Sequence, residues 1–185
     1  EIPLRLVGSE MCIRDSVYTD LLGEKNRKCE AAIVDERHNG GGWLHDDLCT
    51  LLNGKNYQKF VPRGKFIGND PFNKWIKPSC VLICEDDYSN GQGFPLVYKT
   101  LGIGKLIGAP IAGTMTAVWW ETLLDPSLVY GIPQVGCMSL DGVYSENTQL
   151  NPDITVYNSP EDYLSGNDRQ LKAAVEEMLK VIDKK

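Results

Sequence analysis

Two apolar segments of strand length, each followed by a turn and then a helical pattern, constrain the fold of this chain most strongly. Residues 31–35 lead into a glycine-rich turn and then into a helix predicted over 44–52, where leucines recur at helical spacing. Residues 80–84 lead into a sharp turn around Ser89 and then into a helix predicted over 93–101. Successive units of this kind imply right-handed parallel crossovers, so the sequence predicts a layered α/β domain.

The rest of the chain adds further strands and one long helix. The pattern predicts strands over 105–108, 117–123, 129–134 and 135–138, a hairpin turn at 141–142, an amphipathic helix over 168–182, and a long polar surface connection over 53–78.

Composition fits one domain and excludes several classes of function. The 185 residues have a formal net charge of −6, and no dense run of lysine and arginine is present. Since binding to nucleic acid without sequence preference needs such a run, no nucleic-acid partner is predicted. No apolar run approaches the roughly 20 residues that span a bilayer, so no membrane span is predicted. The six cysteines and two histidines lack metal-ligand spacing, so no metal site is predicted either.

The first sixteen residues are set apart from the rest of the chain. The string over 8–16 resembles the translated adapter-like sequence found at the ends of many metagenomic open reading frames. It also lacks the basic start, apolar centre and cleavage site of a signal peptide. The prediction is an artefactual or disordered leader over 1–16, followed by one domain over 17–185.

Ser89 is the candidate nucleophile. A serine at a tight turn between a buried strand and a helix exposes its hydroxyl beside the amides of the helix N-terminus. The same position is also typical of a residue that caps the helix. Taken alone, the turn favours the cap.

The glycine turn over 39–42 changes this balance. Its three consecutive glycines let backbone N–H groups approach a developing negative charge, as one half of an oxyanion hole does. A phosphate site is disfavoured, because no Lys-Ser or Lys-Thr pair follows and the acidic residue of a dinucleotide-binding unit is missing.

Four motifs occur in order along the chain. They are residues 32–42, then Tyr88-Ser89-Asn90, then residues 102–108 with Gly113-Thr114, and then Glu146-Asn147 before residues 150–154, with residues 166–171 opening the last helix. Together they resemble the catalytic core of tricorn-like serine peptidases, from about Val17 to the C-terminus. The resemblance implies a crotonase-like or Clp-protease-like layered α/β fold with strand–turn–helix crossovers.

The resemblance also implies a role for each matching residue. Ser89 matches the nucleophile, and Glu146 matches the carboxylate that orients the catalytic histidine through an intervening serine. The amide of Asn90 matches one half of the oxyanion hole. The amide of a glycine in the turn matches the other half, and Gly42 is preferred to Gly41. The implied activity is serine-type hydrolysis of peptide or oligopeptide substrates without a metal or organic cofactor, and a homo-oligomer is compatible with it.

The general base is missing from the positions that match. Related C-terminal processing peptidases use a lysine and a glutamine where this chain has Thr114 and Val118, so the Ser-His branch is preferred. In that branch the histidine lies in an upstream subdomain, followed by a PDZ-like domain, and the chain contains neither. His38 and His45 do not match the family base. The fragment is therefore predicted to be nearly inert, because a serine hydroxyl without a base is a weak nucleophile.

Two other functions stay open. They are a non-catalytic ligand-binding domain of the same fold and a crotonase-type acyl-CoA enzyme, which would not need Ser89.

The sequence also predicts where three pairs of side chains lie. Trp119 and Trp120 are predicted in the core, and Cys80 and Cys84 are predicted as small buried hydrophobes. Asp86 and Asp87 are predicted in a solvated turn.

Overall fold

The computed structural model describes residues 10–24 and 26–184. Within these ranges the helices are α1 Glu10–Leu22, α2 His45–Leu52, α3 Asn90–Thr100, α4 Pro160–Ser165 and α5 Arg169–Asp183. The strands are β1 Ala32–Asp35, β2 Gln58–Phe60, β3 Gly68–Asp70, β4 Ser79–Ile83, β5 Lys105–Gly108, β6 Ala117–Thr122, β7 Val129–Val135 and β8 Ile154–Thr155. None of these helices has the length and apolar character needed to cross a membrane.

A four-stranded parallel sheet forms the centre of the fold, in the order β1–β4–β5–β8. Val34 lies opposite Val81, and Val81 lies opposite Leu106. All five residues of β4 are buried, as a central strand of a parallel sheet covered on both faces requires. The two predicted strand–turn–helix units are thus β1–α2 and β4–α3.

Helices cover both faces of the sheet. Neighbouring residues of a strand point to opposite faces, so Val81 enters a core shared with α1, α2 and α3. Leu82 enters a second core, which it shares with α5. This arrangement confirms the predicted layered α/β fold. Cys80 and Cys84 are fully buried, which confirms the prediction made for them.

Two antiparallel hairpins, β2–β3 and β6–β7, lie outside the central sheet. The first occupies part of the segment that was predicted as an irregular connection. The second contains Trp119 and Trp120, whose predicted core packing is wrong: they are 61% and 68% exposed. The reason is that β6 pairs only with β7 among the described strands, and this ribbon is not covered by a helix layer.

The predicted leader falls partly outside the described residues, which begin at residue 10. Residues 10–16 form the first half of α1, which runs without a break to Leu22. The structure therefore has no break at residue 16 or 17, and the foreign origin of the leader stays a prediction.

Arg37 joins the end of β1 to the start of α5. Its Nε donates to Asp35 Oδ1 at 2.8 Å, and its Nη2 donates to Asp168 Oδ2 at 2.8 Å. Asp168 also caps α5 by accepting from the Leu171 amide at 2.9 Å. Burial raises the pKa of Asp168, but the bonds from Arg37 and Leu171 outweigh burial and leave that pKa below its ordinary value.

Replacing Arg37 by alanine should lower the free energy of unfolding by about 3 kcal/mol at pH 7, because two partly buried carboxylates would lose their shared cation. A carboxyl whose pKa is lowered by folding stabilises the fold above its unfolded pKa and loses this contribution as pH falls. The cost of Arg37→Ala should therefore shrink in acid. Urea unfolding at neutral and acid pH measures both quantities.

Arg169→Ala is the matched control, since that guanidinium lies 3.8 Å from Asp162 and is 58% exposed. It should cost less than about 1 kcal/mol. Equal costs for the two variants would contradict a bridging function for Arg37.

Candidate active site

Ser89 lies immediately before α3 in a backbone conformation that few non-glycine residues adopt. Its φ is 56° and its ψ is −119°, and its hydroxyl makes no capping bond to the helix. Its amide donates to the carbonyl of Thr114 at 3.0 Å. Such backbone strain costs on the order of 1–3 kcal/mol and persists only where the surroundings enforce it. The hydroxyl does not cap α3, so the cap alternative for Ser89 is wrong, and the nucleophile stays a prediction.

The glycine turn after β1 packs directly against this strained turn. The amide of Tyr88 donates to the carbonyl of Asn39 at 2.9 Å. A Cβ on Gly41, whose φ is 102°, would lie 2.8 Å from the Cβ of Ser89. A Cβ on Gly91 would lie 2.5 Å from the Asn39 oxygen. Glycine is therefore required where the two turns meet, because any side chain would force them apart.

The backbone amides around Ser89 differ in whether they are already bonded. The Gly41 amide donates to the side-chain oxygen of Asn39 at 2.9 Å, so it is engaged within the turn. Within the described residues, the amides of Gly42 and Asn90 have no hydrogen-bond acceptor. Of the three predicted oxyanion-hole positions, Gly42 and Asn90 thus retain a free donor, and Gly41 contributes close packing.

Asn39 connects the two turns through both its backbone and its side chain. Its carbonyl accepts from Tyr88, and its amide donates to Asp87 Oδ1 at 3.2 Å. Its side chain accepts from Gly41 and donates to Glu36 Oε1 at 3.0 Å. One residue therefore fixes the shape of the glycine turn and its position against the Ser89 turn.

Asp87 is buried, so the prediction of a solvated turn is wrong for this residue. Its Oδ2 accepts from the Cys84 amide at 2.8 Å, while its Oδ1 accepts from Asn39. Burial raises the pKa of Asp87 from 3.8 to about 6, although the amide bonds from Cys84 and Asn39 oppose the shift. Asp86 is exposed, as predicted.

Glu36 is a second buried carboxyl group in the same network. Burial and the neighbouring Asp87 raise the pKa of Glu36 well above its ordinary value, and the Asn39 side chain opposes this. Its Oε2 is buried without a hydrogen-bond partner in the described part of the chain. Two adjacent buried carboxyl groups favour a neutral form for at least one of them.

Gln92 holds the opposite side of the site. It is buried in α3, and its Oε1 accepts from the Thr114 amide at 3.0 Å. Its Nε2 donates to the carbonyls of Ser145 and Thr148, at 3.3 and 3.2 Å. Since Thr114 in turn accepts from the Ser89 amide, Gln92 links the strained turn to the segment that carries Glu146.

Glu146 is bound to the same strip of backbone. Its Oε2 accepts from the amides of Met115 and Thr116 at 2.8 and 2.7 Å, and from the Thr116 hydroxyl at 2.7 Å. These bonds, the Thr116 hydroxyl first, lower the pKa of Glu146. Its Oε1 accepts no hydrogen bond from the described residues. Glu146 is thus held by the two residues that follow Thr114. The carbonyl of Thr114 in turn accepts from the Ser89 amide.

Neither histidine is bonded to Ser89. His38 Nδ1 lies 3.1 Å from Asp86 Oδ2. His45 is half-buried and packs edge-on against Trp43, and its buried Nδ1 has no partner in the described ranges. Residues 10–24 and 26–184 also contain no cluster of three or more His, Cys, Asp or Glu that could hold a metal ion.

The chain matches one protein-family model over most of its length. Residues 14–156 match the model of peptidase family S41. The chain belongs to peptidase family S41. The predicted resemblance to tricorn-like serine peptidases is thereby confirmed, with relatives of the tricorn type.

Similar proteins extend well beyond the length of this S41 chain. It is 29% identical over 151 residues to the tricorn protease of Thermoplasma acidophilum, covering 81% of this chain and 14% of that protein. It is 27% identical over 160 residues to tricorn protease homolog 1 of Streptomyces coelicolor, covering 86% of this chain and 15% of that protein. The crystal structure of the tricorn protease superposes with a TM-score of 0.74 at 29% identity, covering 83% of this chain and 15% of that one.

Sequence reasoning missed the burial of three polar side chains of the candidate site, namely Glu36, Asp87 and Gln92. Each is buried although its residue type is usually exposed. Gln92 stands between two glycines just before the helix predicted over 93–101, so no sequence pattern indicates its burial. Glu36 and Asp87 stand in polar runs, and only the parallel pairing of β1 with β4 brings their turns together.

Substituting Gly41 by alanine should separate the two turns, because the new Cβ would lie 2.8 Å from that of Ser89 and 3.0 Å from the Tyr88 oxygen. The free energy of unfolding should fall by about 2–4 kcal/mol in urea titration, from overpacking added to an unfavourable φ. Gly40→Ala is the control, since nothing lies within 4 Å of that position. A cost for Gly40→Ala equal to that for Gly41→Ala would contradict the close approach.

The burial of Asp87 predicts a pH dependence of stability. A carboxyl whose pKa is raised from 3.8 to about 6 stabilises the fold below its unfolded pKa, and this contribution is lost as pH rises through about 6. Relative to Asp87→Asn, the wild type should therefore lose on the order of 3 kcal/mol between about pH 4 and pH 7. Asp86→Asn, at an exposed position, should follow the wild-type curve. Parallel curves for the wild type and Asp87→Asn would contradict the shift.

Proposed function

We propose that this S41 domain hydrolyses peptide bonds by acyl transfer to Ser89. The observation that supports it best is the strained Ser89 turn, whose hydroxyl does not cap its helix and which packs against a glycine turn. A structural serine would gain nothing from a conformation that costs free energy. The same contacts explain why the glycine turn and the Ser89 turn occur together.

The proposed reaction uses the two free amides beside Ser89. Ser89 Oγ attacks the carbonyl carbon, and its proton passes to a general base. The negative charge that develops on the carbonyl oxygen is bound by the amides of Gly42 and Asn90, which have no acceptor among the described residues. The base then protonates the departing amine, and water releases the acyl group from Ser89 by the reverse sequence of proton transfers.

The general base in this proposal is an imidazole from outside the described residues, oriented by Glu146. Glu146 is held as a carboxylate by the backbone and hydroxyl of residues 115–116 and keeps one oxygen unused. An anion that is fixed in place and partly unsatisfied suits a group that orients a protonated base through a hydroxyl. His38 forms no hydrogen bond to Ser89, and its contacts are with Asp86 and Cys84 instead, so the proposal does not assign the base to it.

Oligopeptides are the proposed substrate class. Trp43 and Tyr88 flank the free amides in sequence and are both exposed. Exposed aromatic rings beside a nucleophile can contact substrate side chains through their apolar faces. Fluorogenic peptides of increasing length, with free and with blocked ends, distinguish an oligopeptidase from an endopeptidase.

Labelling by a fluorophosphonate probe tests the nucleophile and the base separately. With the 185-residue chain, added imidazole should speed phosphonylation of Ser89 by about tenfold or more over a non-nucleophilic buffer at the same pH, since general-base catalysis commonly contributes at least that much. Mass spectrometry of the labelled peptide identifies the site. Ser89→Ala should abolish the label, whereas Ser127→Ala, at an exposed serine far along the chain, should retain it.

Two results would contradict the proposal in different ways. Label that persists in Ser89→Ala, or is absent at Ser89 with imidazole present, would overturn the nucleophile. Fast labelling without imidazole that disappears in His38→Ala or His45→Ala would leave the nucleophile standing and overturn the external base. An acyl-CoA enzyme, the alternative with the same amides, would instead turn over a thioester equally well with Ser89→Ala.

A further inference from the structure

Glu36 is a buried carboxyl group that the proposed reaction does not use. It directly follows β1, and its amide continues the pairing with β4 by donating to the Leu82 carbonyl at 3.1 Å. Its side chain is buried, and its Oε2 has no hydrogen-bond partner among residues 10–24 and 26–184. Burying a carboxyl group costs free energy that burying an apolar side chain does not, so stability alone does not explain a glutamate at this position.

The other oxygen of Glu36 binds the residue that shapes the glycine turn. Glu36 Oε1 accepts from Asn39 Nδ2 at 3.0 Å, and Asn39 Oδ1 accepts from the Gly41 amide at 2.9 Å. A side-chain amide has one end that donates and one end that accepts. Because Glu36 holds the donating end, the accepting end faces Gly41. Glu36 thereby sets which way round the Asn39 amide lies.

The orientation of Asn39 decides which glycine amide stays free. The Gly41 N–H is engaged by Asn39, whereas the Gly42 N–H has no acceptor among the described residues. If the Asn39 side chain turned over, its NH₂ group would face the Gly41 N–H, and neither group could accept from the other. The turn would then lose its internal bond, and the two glycine amides would no longer differ.

We propose that Glu36 is a positioning residue that reserves the Gly42 amide for the oxyanion hole by fixing the orientation of Asn39. This inference rests on the proposed function of Ser89 and adds to it a residue that does not touch the substrate. Burial and the neighbouring Asp87 raise the pKa of Glu36 well above its ordinary value, which favours the neutral form. A neutral carboxyl group accepts from Asn39 as a glutamine would, so Glu36→Gln is the conservative variant.

Amide hydrogen exchange of the two glycines, followed by two-dimensional NMR of the 185-residue chain, tests the positioning without any reaction. Both glycines follow a glycine, so their unprotected amides would exchange at similar rates. In the wild type, Gly41 should exchange about tenfold or more slowly than Gly42, because only Gly41 has an acceptor. Glu36→Gln should keep this difference. Glu36→Met, which has a side chain of similar length and no oxygen, should abolish it.

Labelling of Ser89 by a fluorophosphonate probe in imidazole buffer tests the consequence for the oxyanion hole. Glu36→Met should lower the rate constant at saturating probe by about tenfold or more, because loss of an oxyanion-hole donor commonly costs at least that much. The probe concentration at half saturation should change little, and Glu36→Gln should label at close to the wild-type rate. Glu176→Met, at an exposed position of α5, is the matched control and should behave like the wild type in both experiments.

Each result either supports the positioning role or overturns it. Equal exchange of Gly41 and Gly42 in the wild type overturns it, and so does a difference that survives in Glu36→Met. Exchange of the β4 amides shows whether each variant is folded, and if Glu36→Met is not, the wild type and Glu36→Gln decide.

Labelling of Glu36→Met as fast as the wild type would also overturn the positioning role. If Glu36→Gln behaved like Glu36→Met, the charge rather than the accepting oxygen would matter, which contradicts the proposal as well. Absence of label at Ser89 in the wild type overturns the proposed function instead, and the exchange rates then still decide whether Glu36 orients Asn39.

Discussion

The hydrogen bonds of Asn39 are the interaction on which the candidate site depends. They fix the glycine turn internally through Gly41 and tie it to the neighbouring turn through Tyr88 and Asp87. Without them, the glycine turn would lose the hydrogen bonds that hold it against the strained Ser89 turn. Because β1 and β4 are parallel neighbours, both turns emerge at the same edge of the sheet, and Asn39 converts this proximity into contact.

A second set of contacts, centred on Gln92, supports the other side of Ser89. Gln92 and Glu146 both bind the backbone of residues 114–116, so that strip is held from a helix and from a loop at once. The strain in Ser89 is therefore opposed from two directions, by the glycine turn and by Thr114. Ser89 is thereby held in position without using its own hydroxyl.

The sequence predicted the two strand–turn–helix units, their parallel crossovers and the Ser89 turn because these depend on local patterns. The bounds of β5 agree with the prediction, since an apolar run between glycines marks them. The prediction for Trp119 and Trp120 failed because alternation cannot show whether a helix covers a ribbon. The burial of Asp87 could not be predicted either, because it depends on Asn39, which lies far away in sequence and close in space. The two-residue β8 is too short to produce a pattern.

The strained Ser89 turn also has a consequence for how the site forms. The parts that hold it come from four distant stretches of chain, and parallel pairing of this kind is completed late in folding because loop closure must come first. In a partly folded chain Ser89 can relax to an ordinary conformation, and the amides beside it are dispersed. The geometry around Ser89 therefore exists only once the sheet is fully formed. Local opening of this region would release the backbone strain stored at Ser89.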